Sequence, residues 1–82
     1  MIDTTKIEQY VNKGMKLKRI FRLLRKQNPY YGETVILRNT LFTAFGMGKP
    51  FQKNELNKIL KTELTETLEP EVKEDLRTLC KC

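Results

Sequence analysis

"ETVILRNTLFTAF", Glu33 to Phe45, is the most apolar stretch of the chain, and the fold class turns on how it is read. Its first five residues, ETVIL, are rich in β-branched side chains and suit a strand. No second strand-like run exists in the sequence, however, and a lone strand leaves its backbone donors and acceptors without partners. A strand here would have to pair with another subunit. The alternative is one helix over about residues 32–45, after the turn "NPYYG". Val35, Ile36, Leu37, Leu41, Phe42, Ala44 and Phe45 would then make it the centre of the core, with Glu33, Thr34, Arg38 and Asn39 as its outward polar groups. That reading is preferred.

Outward from this stretch the pattern is helical in both directions. Leu17, Ile20, Phe21 and Leu24 fall at i, i+3, i+4 and i+7 and predict a helix over 16–27. Pro29 disfavours helical geometry at Asn28 and closes it near Gln27. Ile7, Tyr10 and Val11 mark an earlier helix over 5–13, with Gly14 as its stop. Thr5 and Glu8 have capping-box spacing there, and Asp3 and Thr4 are alternative caps. Downstream, "GMGKP" (Gly46 to Pro50) reads as a loop. Leu56, Ile59, Leu60 and Leu64 predict a helix over 53–66, with Phe51 packing just before it. Pro70 opens a last helix over 70–80, striped by Val72, Leu76, Leu79 and Cys80. Its early acids, Glu71, Glu74 and Asp75, suit a helix N-terminus. The expected fold is all-α: one small domain over 1–82, a bundle of four or five short helices.

Composition agrees. With 82 residues, 39% hydrophobic and 32% charged, the chain is ordinary for a folded domain rather than a disordered one. So short a chain buries only roughly 60% of the surface its unfolded form exposes, which leaves one small core. The longest apolar run is the three residues Val35 to Leu37, far short of the roughly 20 a membrane span needs. The opening "MIDTTKIEQY" carries an early acid and no apolar core, so no secretory signal is expected and a cytoplasmic protein is.

Catalysis is not expected. There is no histidine, the commonest general acid or base, and no phosphate loop, nucleophile elbow or H-E-x-x-H. Two cysteines, Cys80 and Cys82 in "CKC", are too few for a zinc site within one chain and too close for an unstrained bridge. A half-buried Cys80 and a frayed Cys82 are expected, and no cofactor or metal.

The informative feature is charge. The net charge is +6, and residues 16–27 alone carry six cations, Lys16, Lys18, Arg19, Arg22, Arg25 and Lys26, with no acid among them. Residues 54–82 carry five bases against seven acids. Such asymmetry bears on partners and association rates, not on fold.

"GMKLKRIFRLL" resembles the start of helix-turn-helix modules, in which a glycine precedes a helix whose Ile and Leu pack on the recognition helix. Gly14, Ile20 and Leu24 match that pattern. Phe21 stands where such modules carry a small residue, Arg25 where the tight turn has glycine, and "QNPYYGE" is longer than their usual turn. The resemblance implies a helix-turn-helix-like first half and no family. "IFRLLR" is likewise unlike the signature of the LYR-motif adaptors. "ELNKILKTEL" has the look of a calcium-hand helix, but "GMGKPFQKN" before it supplies no carboxylate ligands.

The expected function is therefore binding or regulatory: contact with nucleic-acid phosphates through the cationic helix. Its candidate residues are Lys16, Lys18, Arg19, Arg22, Arg25, Lys26 and Arg38, with Tyr30 and Tyr31 available to stack on unpaired bases. The alternative is an adaptor or inhibitor that docks the same helix on an acidic protein surface. An anionic lipid surface is a weaker third, because Leu17, Ile20, Phe21 and Leu24 would be needed by both lipid and core. A homodimer is compatible with each.

Overall fold

The computed structural model describes residues 2–81; Cys82 lies outside them, and with it the reading of "CKC" as a pair. Five helices follow in order: α1 (Thr4–Asn12), α2 (Leu17–Gln27), α3 (Glu33–Gly46), α4 (Lys53–Thr62) and α5 (Pro70–Arg77). The ETVIL segment is helix, not strand. Among the described residues the β-type pairing is a single isolated bridge between Gln52 and Lys81. There the Lys81 amide donates to Phe51 O (2.9 Å) and the Lys53 amide to Lys81 O (3.1 Å). This ties the end of the chain to the turn before α4.

α1 begins at Asp3, whose carboxylate accepts from the Thr5 amide at 3.0 Å, so the cap is Asp3 rather than a Thr5–Glu8 box. It ends where Gly14 takes φ +74°. The Gly14 amide donates to Val11 O and the Met15 amide to Tyr10 O, which satisfies two carbonyls that the helix end would leave bare. α3 ends the same way: Gly48 has φ +74°, its amide bonds Phe45 O, and the Lys49 amide bonds Ala44 O.

α3 packs against both α1 and α2, and α4 against α2. Leu17, Ile20, Phe21 and Leu24 of α2 are all buried, as their spacing predicts. They meet Ile7 and Val11 of α1, Leu56 and Ile59 of α4, Leu76 of α5, and Phe51 from the α3–α4 turn.

α3 departs from expectation in which residues it buries. Its inner stripe is Glu33, Ile36, Leu37, Thr40, Leu41 and Ala44, one face at 3.6 residues per turn. Val35, Phe42 and Phe45 lie on the opposite side, 44%, 61% and 51% exposed. All three stay largely in solvent on that side, so their apolar character does not bring them into the core. Buried Thr40 satisfies its hydroxyl by donating to Ile36 O at 2.8 Å.

Glu33, expected outside, is 7% exposed, and its carboxylate explains why α4 stops at Thr62 rather than 66. One oxygen accepts from the Thr65 amide (2.9 Å), the Thr65 hydroxyl (2.9 Å) and the Glu66 amide (3.1 Å). Two backbone donors that a longer helix would use internally are taken by this carboxylate instead. Burial alone would raise the Glu33 carboxyl's pKa. The bonds from Thr65, Arg25 and Glu66 outweigh it and hold the group below the usual carboxylate range. α5 is also shorter than expected, closing at Arg77 through tight turns from Leu79 to Leu76 O and Cys80 to Arg77 O. Val72, Leu79 and Cys80 still pack, half-buried, against the core. Burial raises the pKa of the Cys80 thiol, which points at Leu76 O.

Candidate functional site

The site is built on the outer face of α2. Burying Leu17, Ile20, Phe21 and Leu24 forces the remaining arc outward, and that arc is cationic. α2 lacks a side-chain cap of its own. Glu55, from α4, substitutes by accepting from the Leu17 amide at 3.4 Å, and so places a negative charge at the positive end of the helix. Arg25 and Lys26 sit in the last turn, where cations are favoured.

Lys16, Lys18, Arg19, Arg22 and Lys26, with Leu23, line one shallow depression of about 490 Å³. No acidic residue lines it. A smaller neighbouring depression of about 270 Å³ is lined by Lys16, Lys18, Glu55 and Lys58. The cationic surface therefore extends from α2 onto α4 through Lys58. Sequence reasoning left Lys58 in the acidic third of the chain. Only the packing of α4 on α2 reveals its place.

The five cations of α2 and Lys16 at its N-cap fall into two groups, paired and unpaired. Arg22 holds Glu63 through two bonds, Nη2 to one carboxylate oxygen (2.7 Å) and Nε to the other (3.2 Å). Lys18 approaches the same carboxylate at 3.4 Å. The hydrogen bond from Arg22, reinforced by Lys18, keeps the Glu63 carboxyl below its ordinary pKa, and the same bond raises that of Arg22. Arg25 pairs with Glu33 at 2.8 Å, donates to Glu63 O at 3.1 Å and lies over the Phe21 ring at 5.2 Å. Its guanidinium is part of the scaffold, and no depression on the cationic face includes it. Lys16, Arg19 and Lys26 are exposed and form no ion pair among the described residues. Lys18 and Arg22 keep more than half of their side-chain surface in solvent, 53% and 57%, despite Glu63.

The remaining candidates are not gathered here. Tyr30 is 98% exposed in the turn after α2. Tyr31 packs, half-buried, against the core. Arg38 lies on the outer side of α3 and lines a separate depression with Phe42, Asp75, Thr78 and Leu79. The outer side of α3 thus offers one cation among apolar side chains, not the polar set with which a recognition helix reads base edges.

Among the described residues no three His, Cys, Asp or Glu side chains gather as a metal site would require, and no helix is long and apolar enough to cross a membrane. No family model, curated protein or solved structure is significantly similar to the chain.

Proposed function

We propose that the protein binds nucleic acid through its phosphate backbone, using the outer face of α2 and the adjoining Lys58. The supporting observation is the composition of that face: among the described residues Lys16, Arg19 and Lys26 form no ion pair, Lys18 and Arg22 are half open, and no acid lines the depression they share. Flexible cationic side chains without a fixed polar partner suit phosphates, which carry charge but no sequence information. A protein partner fits less well. The centres of protein interfaces are depleted of charge, whereas nucleic-acid interfaces are strongly positive. Leu23 is the one apolar side chain lining the depression. The role is that of a binding or regulatory protein, not an enzyme.

The test is fluorescence anisotropy with labelled duplex and single-stranded oligonucleotides across a salt series. Three phosphate contacts, from Lys16, Arg19 and Lys26, give a log–log slope of about −2.7 on duplex DNA. If Lys18 and Arg22 also engage, the slope steepens to about −4.5. The double variant Arg19→Glu, Lys26→Glu is expected to abolish binding with helicity unchanged. Absence of binding at low salt rejects the proposal. A partner recovered from lysate that persists after nuclease treatment would replace it with the acidic-protein reading.

A further inference from the structure

The outer side of α3 is unrelated to the cationic face, and its chemistry is different. Val35, Arg38, Phe42 and Phe45 are spaced i, i+3, i+7 and i+10, which at 3.6 residues per turn places them within about 80° of arc. They form a strip about 15 Å long. Phe42 and Arg38 also wall the depression whose other side is Asp75, Thr78 and Leu79 of the α5 end. The depression therefore has one cation and one anion in its lining, beside the exposed apolar side chains of α3. Neither Arg38 nor Asp75 forms an ion pair among the described residues.

We infer that this face is a self-association surface. A second copy docks on it about a two-fold axis, its apolar strip against this one, with each Arg38 opposite the other copy's Asp75. The charges select the occupant. An acidic helix from another protein would satisfy Arg38 and set a carboxylate beside Asp75. A basic helix would do the reverse. A two-fold interface brings each surface to its own copy, so both ions are paired at once. The cations of α2 do not line this face, so the net charge of +6 is not concentrated between the copies. Three partly exposed side chains make a patch of a few hundred Å², below the roughly 800 Å² per partner of a standard interface. The dimer is accordingly weak and concentration-dependent.

Sedimentation equilibrium on the nucleic-acid-free protein tests this, at concentrations rising to about 1 mM, as a small interface requires. The apparent mass is expected to climb from 9.7 kDa towards twice that value. Phe42→Glu, Arg38→Asp and Asp75→Arg should each weaken self-association at least tenfold. Mixed in equal amounts, the Arg38→Asp and Asp75→Arg variants should form a heterodimer, because each supplies the charge the other lacks. On the unaltered protein, amide shifts that move with concentration should fall on α3 and α5 and not on α2. A mass fixed at 9.7 kDa throughout, charge variants that associate as before, a mixture that stays monomeric, or shifts confined to α2 would each overturn the inference. Substitutions at Arg19 and Lys26 leave this association unchanged, so its failure is separable from failure of the nucleic-acid reading.

Discussion

α2 and α3 lie side by side and are built on opposite plans. α2 separates its side chains cleanly: four large apolar residues are buried, and the outer arc is almost entirely cationic. α3 places apolar side chains on both of its sides, and three of the seven, Val35, Phe42 and Phe45, face solvent. What α2 has in excess is charge; what α3 has in excess is hydrophobic surface. Each excess lies on a face the core does not need, so the core takes one side of each helix and the two proposed binding surfaces take the other.

The sharpest way to break this contrast is to remove an equal amount of apolar volume from each helix. Phe21→Ala is expected to cost about 3–5 kcal/mol, because the ring is fully buried and supports Arg25 above it. In a domain with a total stability of about 5–15 kcal/mol, that brings the protein to the edge of unfolding. Phe42→Ala should change monomer stability by less than about 0.5 kcal/mol. Urea titrations followed by circular dichroism measure both, and equal losses would deny the division.

Glu33 is the next largest effect. Glu33→Ala removes hydrogen bonds to a buried carboxylate that anchors the chain after α4, at a cost of about 2–3 kcal/mol. The same carboxylate sets an acid limit. Its folded pKa lies below the unfolded value of about 4.3, so its contribution is complete above that pH and is lost as pH falls through the lowered value. Glu33→Gln should flatten the acid limb of a stability-against-pH curve; an unchanged limb would assign it to other groups.

Glu63 sharpens the comparison on the α2 side. It is the carboxylate that pairs with Lys18 and Arg22 while leaving both half open to solvent. Glu63→Gln should raise oligonucleotide affinity several-fold and steepen its salt dependence by up to two contacts, about −1.8 in slope. From a starting slope of about −2.7, one that stays where it was would mean those two cations do not touch phosphate. The smallest effect is at Tyr30. Tyr30→Ala, at a fully exposed position, should leave stability within about 0.5 kcal/mol and weaken single-stranded ligands alone.

Much of this architecture is legible in the sequence where spacing and turn chemistry agree. The Leu17–Ile20–Phe21–Leu24 stripe, the stop at Gly14 and the opening at Pro70 all stand as read. The misreadings share one cause. Val35, Phe42 and Phe45 look like core because hydrophobicity does not say which side of a helix will find a neighbour. Glu33 looks like surface because its partners, Thr65 and Glu66, lie more than 30 residues away. Glu63 and Lys58 belong to the α2 face by packing between helices, which no local pattern records. The cations were visible at once; which of them carry a counter-ion was not.

The two left-handed glycines have a stereochemical consequence. At Gly14 and Gly48 an added methyl group would meet no atom within 4 Å, yet φ is +74° at both. Any loss on substitution is then purely one of chirality. Gly48→Ala should cost about 1–2 kcal/mol, while Gly46→Ala, two residues earlier, inside the helix and equally uncrowded, should gain up to about 1. D-alanine, introduced by chemical synthesis at residue 48, should reverse the penalty, making this turn a place where the mirror-image amino acid is the natural one.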